Sequence, residues 1–164
     1  MKKIALFLLL LACALGVSAG TKKKAEKDTN HFRYELECAG NAAQGMYLVK
    51  VWSYSRKAAV AAEQCKKNAV HGIIFKGYSG ANGCVAQRPL AANPGVEAEY
   101  ADFFDAFFKE DGEYQKYVST VSGTQEVLKV GKAYKVGVVV SVSKDALRKA
   151  LEAAGVVKSL NYGF

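Results

Sequence analysis

The stretch from residue 132 to residue 157 constrains the fold more than any other part of the chain, because strand periodicity changes there to helix periodicity at a single residue. Every second side chain of its first half is apolar, which is typical of a strand with one buried face: Tyr134, Val136, Val138, Val140 and Val142. Helical spacing follows in Leu147, Ala150, Leu151 and Ala154. Ser143 predicts a side-chain cap at the helix start, and Gly155 predicts a left-handed stop. A helix folded back over the strand's apolar face indicates a small α/β layer structure.

The first 19 residues have the pattern of a secretory signal peptide, with Lys2 and Lys3, an apolar run over residues 4–15, and the small residues 17–19 as a cleavage site. The apolar run is shorter than the ~20 residues that a membrane-spanning helix needs. We therefore expect an exported chain without a transmembrane segment, located in the periplasm or cell envelope. The alternative is a lipoprotein signal in which Cys13 carries a lipid anchor, although apolar residues continue after Cys13.

Cleavage after residue 19 of 164 leaves 145 residues, which suits one domain with a core of ordinary size. Residues 20–30 lack large apolar side chains, so we expect a disordered basic leader there and a single domain over residues 31–164. The formal net charge of +8 falls to about +4 without the first 30 residues. Because the remaining cations are scattered singly, the sequence argues against a nucleic-acid partner.

Two alternating segments at the start of the domain predict an antiparallel hairpin. Residues 32–38 and 47–54 are the strands, and the small residues 40–45 form the turn. A helix from about Arg56 to Val70 follows, capped by Ser53 or Ser55 and ended by Gly72. The apolar residues 73–75 then predict a short inner strand.

The second half of the domain predicts one more helix before the final strand and helix. Asn93 and Pro94 are interpreted as its cap and first turn. Its aromatic stripe is interpreted as core packing: Val96, Tyr100, Phe103, Phe104 and Phe107. Residues 127–130 are expected to pair with the strand at Tyr134 across a turn at Gly131 and Lys132. The whole pattern predicts an α+β fold, a two-layer sandwich whose mostly antiparallel sheet carries helices on one face.

Residues 77–95 show no periodicity and are rich in glycine, with both prolines of the chain. Long connections without secondary structure are uncommon in compact domains and are often functional. We therefore predict that this loop is the binding surface, with contacts from Tyr78, Asn82, Arg88 and Pro89. Trp52 is predicted as an exposed aromatic anchor beside it, with a core position as the alternative.

Three cysteines remain after the signal peptide, namely Cys38, Cys65 and Cys84. In an oxidising compartment we expect a disulfide from Cys84 to either Cys38 or Cys65, and the alternative is three buried thiols. The wide spacing of these cysteines, and the lack of CxxC and HxxxH patterns, argue against a metal site.

The sequence contains no recognisable constellation of catalytic residues. His31 adjoins the leader and His71 lies near a helix end, and neither is part of a nucleophile motif. The carboxylates from Glu97 to Glu113 are interpreted as the first turn and the solvated face of a helix. No nucleotide-binding pattern occurs, so we expect no cofactor and no catalysis. The alternative is a small periplasmic hydrolase that uses these carboxylates or Cys84 next to the loop.

The order of elements resembles the N-terminal region of the flagellar assembly protein T, small outer-membrane lipoproteins and uncharacterised exported bacterial proteins. Three groups of residues carry the resemblance: Ala58, Ala62 and Ala69; Phe103, Phe104 and Phe107; and Tyr134, Val136, Val138, Val140, Leu147 and Leu151. It implies an envelope-associated structural or assembly module that binds a protein or envelope component, and it carries over no catalytic residue. The long loop and the three cysteines are not part of that pattern.

Overall fold

The computed structural model describes residues 33–81 and 83–159. The elements in chain order are β1 (Tyr34–Gly40), β2 (Tyr47–Ser55), α1 (Ala58–Phe75), α2 (Val96–Glu99), α3 (Ala101–Phe108), a 3-10 turn (Glu113–Tyr117), β3 (Val118–Thr120), β4 (Glu126–Val130), β5 (Ala133–Val142) and α4 (Lys144–Ala153). The predicted signal peptide over residues 1–19, Cys13, the leader over residues 20–30, His31 and Asn82 lie outside the described residues.

The strands form one antiparallel sheet in the order β1-β2-β5-β3, and β4 pairs with the first half of β5 on the same edge as β3. Both predicted hairpins are confirmed, since β1 pairs with β2 and β4 pairs with β5. The ten-residue strand β5 is therefore central, with neighbours along both of its edges.

The strand register places the apolar side chains of β2 and β5 on one face. Val49 lies opposite Val140, and Val51 lies opposite Val138. All four belong to one buried cluster with residues of α1 and with Leu147 of α4. The predicted α+β fold is confirmed, because helices cover the face that the period-2 pattern of β5 leaves apolar.

Helix α1 continues through Phe75, so the predicted end at Gly72 and the predicted inner strand over residues 73–75 are wrong. Gly72 serves a different purpose, because a Cβ there would lie 2.9 Å from Leu36 Cδ2 and 3.2 Å from Tyr34 Cε2. The glycine lets β1 approach the helix closely. The left-handed stop is Gly77, whose φ is +66° and whose N–H donates to the carbonyl of Gly72 at 2.8 Å.

The aromatic segment forms two short helices rather than the single predicted helix, because the backbone leaves helical geometry at Tyr100 (φ −111°, ψ 35°). Gly95, not Asn93, precedes the first of them, and the Asn93 side chain instead accepts the N–H of Gly95 at 3.0 Å. Ser143 precedes α4 as expected, but its side chain makes no capping bond. The predicted left-handed residue after α4 is confirmed at Gly155, with φ +74°.

Candidate binding groove

Covalent, backbone and side-chain bonds fix the loop from residue 77 to residue 91 against the sheet and α1. A disulfide joins Cys84 of the loop to Cys38 of β1. Tyr78 and Gln87 exchange backbone hydrogen bonds of 3.0 and 2.9 Å across the loop. The hydroxyl of Tyr47 in β2 donates to Gln87 Oε1 at 2.6 Å. A loop with this many anchors presents its side chains in a defined arrangement before any ligand arrives, which reduces the entropy lost on binding.

The disulfide uses one of the two pairings left open by the sequence and leaves Cys65 as a buried thiol. Burial raises the pKa of Cys65 to about 11, even though its Sγ lies 3.3 Å from Ser53 Oγ. A thiol with so high a pKa is protonated at neutral pH and is a poor nucleophile. Cys65 therefore contributes packing in the core, and the bonded Cys84 carries no thiol.

A groove of about 440 Å³ lies between the loop, the end of α1 and β1. The loop wall includes Tyr78, Arg88 and Pro89, three of the four loop residues predicted to bind. The opposite wall includes Tyr34 of β1 and Lys76 at the end of α1, neither of which the sequence had indicated. The structure therefore brings most of the predicted loop contacts together along one open groove.

Tyr78 and Gln87 also line a second, smaller hollow of about 210 Å³, whose lining includes the disulfide residues Cys38 and Cys84. The backbone-paired residues Tyr78 and Gln87 therefore lie between the two hollows and separate them. A third hollow of about 450 Å³ lies between α2 and the end of α4. Its wall includes Lys158, next to the last of the described residues.

The charge of the groove is positive, because Lys76 and Arg88 line it and none of its described lining residues is acidic. The Lys76 ammonium lies 3.8 Å from the centroid of the Tyr34 ring, a cation–π distance. Burial lowers the pKa of Lys76, and Glu97 partly opposes that shift. Burial also raises the pKa of Tyr78 to about 12, so its hydroxyl stays protonated and can donate a hydrogen bond at neutral pH.

The prediction of Trp52 as an exposed anchor is wrong, because the side chain is 8% exposed. Trp52 pairs with Gly137, and a Cβ at Gly137 would lie 2.7 Å from the indole ring. The ammonium groups of Lys50 and Lys135 lie 4.4 and 4.9 Å from the ring centroid. Trp52 therefore packs in a satellite cluster outside the main core, covered by long lysine side chains.

A buried hydrogen-bonded chain that the sequence did not indicate joins three elements. His71 Nδ1 of α1 lies 2.7 Å from the Tyr34 hydroxyl of β1, and His71 Nε2 lies 3.0 Å from Glu97 Oε1 of α2. Because an ionised carboxylate only accepts, Nε2 carries the imidazole proton and Tyr34 donates to Nδ1. Burial, with Lys76 and Lys67 nearby, lowers the pKa of His71 to about 3.

Of this chain, only Tyr34 lines the groove, and His71 is 3% exposed. Glu97 lies in the first turn of α2 as expected, but it is half-buried against His71 rather than fully solvated. No local pattern could have indicated this pair, since His71 and Glu97 are 26 residues apart. The arrangement gives both ring nitrogens of a buried, neutral imidazole a hydrogen-bond partner and connects β1, α1 and α2.

Asp102 and Asp105, two of the carboxylates considered for a hydrolase, are exposed on α3. Within residues 33–81 and 83–159, no group of three or more His, Cys, Asp or Glu side chains could hold a metal ion. None of the helices in the described part of the chain combines the length and hydropathy of a membrane span.

Comparisons with known proteins give no relative for this chain: no protein-family model, no curated protein and no solved structure matches it.

Proposed function

We propose that this chain is an exported binding or assembly module of the cell envelope, which acts without catalysis by holding a protein or envelope component at the groove. The observation that carries the proposal is the convergence of Tyr78, Arg88 and Pro89 with Lys76 in one cavity on a loop fixed by a disulfide. Rigid scaffolds that present an irregular loop are a common basis for binding sites.

Two features support export. The first 19 residues have the pattern of a signal peptide, and the disulfide between Cys38 and Cys84 is of a kind that persists mainly in oxidising compartments. The resemblance to envelope-associated modules agrees with a partner in the envelope.

Co-sedimentation of the purified chain with isolated bacterial envelopes tests the proposal. Arg88→Gln should reduce the bound fraction, because the side chain is exposed at the groove. Arg56→Gln is the matched control, since Arg56 is an exposed arginine just before the opposite end of α1. With its 18 residues, α1 separates the two ends by about 27 Å. Equal binding by the two variants and the parent chain would remove the groove from the proposal.

A small periplasmic hydrolase is the second candidate, and the hydrogen bond between His71 and Glu97 is the observation in its favour. The burial of His71 and its lowered pKa weigh against it, because a general base needs access to substrate and a pKa near the working pH. Turnover of model esters or glycosides that is lost in Glu97→Gln and kept in Arg88→Gln would favour the hydrolase over the binding module.

A further inference from the structure

We propose that the groove recognises an anionic oxygen group of its ligand, a carboxylate or a phosphate, and that Lys76 and Arg88 hold this group. The inference rests on the proposed binding function and names the chemistry of the ligand. It starts from the charge of the groove, which has two cationic side chains and no acidic one among its described lining residues.

Neither cation forms a salt bridge in the part of the chain that the structure describes. Salt bridges pair other cations with carboxylates, as in Lys50 with Glu126 and Lys135 with Glu35, but none involves Lys76 or Arg88. Glu97 acts electrostatically on Lys76, but its salt bridge is to His71 and not to Lys76. A ligand anion would supply the counter-charge that the groove lacks.

The two cations differ in a way that suits an anion. The Lys76 side chain is exposed, but its ammonium rests on the Tyr34 ring, which orients it and covers one side of it before a ligand binds. Arg88 is exposed, and a guanidinium can form two parallel hydrogen bonds with a carboxylate or phosphate. The protonated Tyr78 hydroxyl, which has no hydrogen bond within the described residues, adds a neutral donor at the same wall.

The experiment is an NMR titration of the ¹⁵N-labelled chain with acetate and with inorganic phosphate, and acetamide serves as the neutral analogue of acetate. We expect saturable shifts at residues 76–79 and 86–89 with at least one of the two anions, and none with acetamide. The anion that binds more tightly identifies the preferred group.

The double variant Lys76→Gln with Arg88→Gln should weaken anion binding by about tenfold or more, as expected for lost charge-assisted hydrogen bonds. The control double variant Lys57→Gln with Arg56→Gln also removes one lysine and one arginine, but at the other end of α1. It should leave the anion affinity unchanged. Arg88→Lys keeps the charge and should retain part of the affinity. Fluorescence of the single tryptophan shows that each variant is folded.

Equal responses to acetate and acetamide, shifts confined to other residues, or equal affinities of the two double variants would overturn the anion assignment. If the groove variant keeps its anion affinity but no longer sediments with envelopes, the anion assignment fails while the proposed binding function stands. If the groove variant loses both its anion affinity and its sedimentation with envelopes, the result supports both proposals. If it loses anion affinity but still sediments normally, the anion site stands and the groove is not the envelope contact.

Discussion

The buried imidazole of His71 should make the protein less stable as the pH falls through the range in which ordinary histidines become protonated. In the folded protein, His71 faces the Tyr34 hydroxyl, the Glu97 carboxylate, and the ammonium groups of Lys67 and Lys76. Burial and the two lysines favour the neutral ring and lower its pKa from 6.5 to about 3. Protonation therefore favours the unfolded chain, where the imidazole is solvated.

The size of the effect follows from the two pKa values. Because the folded pKa is depressed, the contribution is fully present above pH 6.5 and is lost as the pH falls toward 3. Between pH 7 and pH 5, one such histidine lowers the free energy of unfolding by about 2 kcal/mol, at about 1.4 kcal/mol per pH unit at most. This loss of about 2 kcal/mol between pH 7 and pH 5 is nearly the same for any folded pKa of His71 below about 4. Glu97, whose pKa burial raises above 4.5, acts in the opposite direction, because its contribution is present below pH 4.5 and is lost as the pH rises through the raised folded pKa.

Urea unfolding at pH 7, 6 and 5, followed by the fluorescence of the single tryptophan, measures this loss. His71→Gln should be less stable at pH 7 but should flatten the pH dependence by about 2 kcal/mol. The chain contains one other histidine, so His31→Gln is the matched control and should retain the parent slope. The reasoning is refuted if His71→Gln and the parent have equal slopes, or if NMR shows His71 protonated in the folded protein at pH 5.

Four further variants test the packing. Replacing Cys38 and Cys84 by alanine removes a cross-link over 46 residues and should cost about 4 kcal/mol on the chain-entropy argument, and a loss below about 1 kcal/mol would contradict that argument. Gly137→Ala brings a Cβ to 2.7 Å from the indole and should cost about 1–3 kcal/mol. Gly95→Ala, with its nearest contact at 3.6 Å, should cost less, about 1 kcal/mol at most, and the reverse order would disprove the clash. Leu151→Ala empties a fully buried position and should lower stability by about 2–5 kcal/mol in the same urea assay, whereas an unchanged midpoint would place Leu151 outside the core.

The sheet could be predicted from the sequence because an antiparallel strand with one buried face reveals itself by alternation. Four valines of β5 are buried at alternate positions, Val136, Val138, Val140 and Val142, and the residues between them face the other side. The hairpin turns carry the small residues and glycines that tight reversals need, so the pairing of β1 with β2 and of β4 with β5 followed from local signals.

The end of α1 could not be predicted in the same way, because the helix is surrounded by protein over its second half. Residues 67–74 are all buried, so no solvent-exposed face alternates with the buried one, and the polar residues Lys67, Asn68 and His71 do not mark a surface. A short apolar run such as residues 73–75 then fits a helix and a strand equally well. Gly72 suggested a stop only because its true reason, the approach of Tyr34 and Leu36, depends on a strand more than thirty residues away.

The candidate groove was predictable only on the loop side. Tyr78, Arg88 and Pro89 were indicated because their segment lacks periodicity, whereas Tyr34 and Lys76 belong to regular elements and look like ordinary strand and helix residues. Their role in the groove arises from the disulfide and the backbone bonds that bring the loop onto β1. Such long-range contacts cannot be predicted from the spacing of residue types along the sequence.

The case of Trp52 shows why exposure cannot be read from alternation alone. Trp52 lies between two core residues of β2, so its side chain points away from α1. The two lysines that cover it are fixed by salt bridges, Lys50 to Glu126 at 2.6 Å and Lys135 to Glu35 at 2.7 Å. A partner that used Trp52 as an anchor would first have to displace both ion pairs, whereas Lys76 and Arg88 at the groove have no salt bridge within the described residues to give up. Because no such ion pair has to be broken at the groove, a ligand gains more binding free energy there than on the outer face of the sheet.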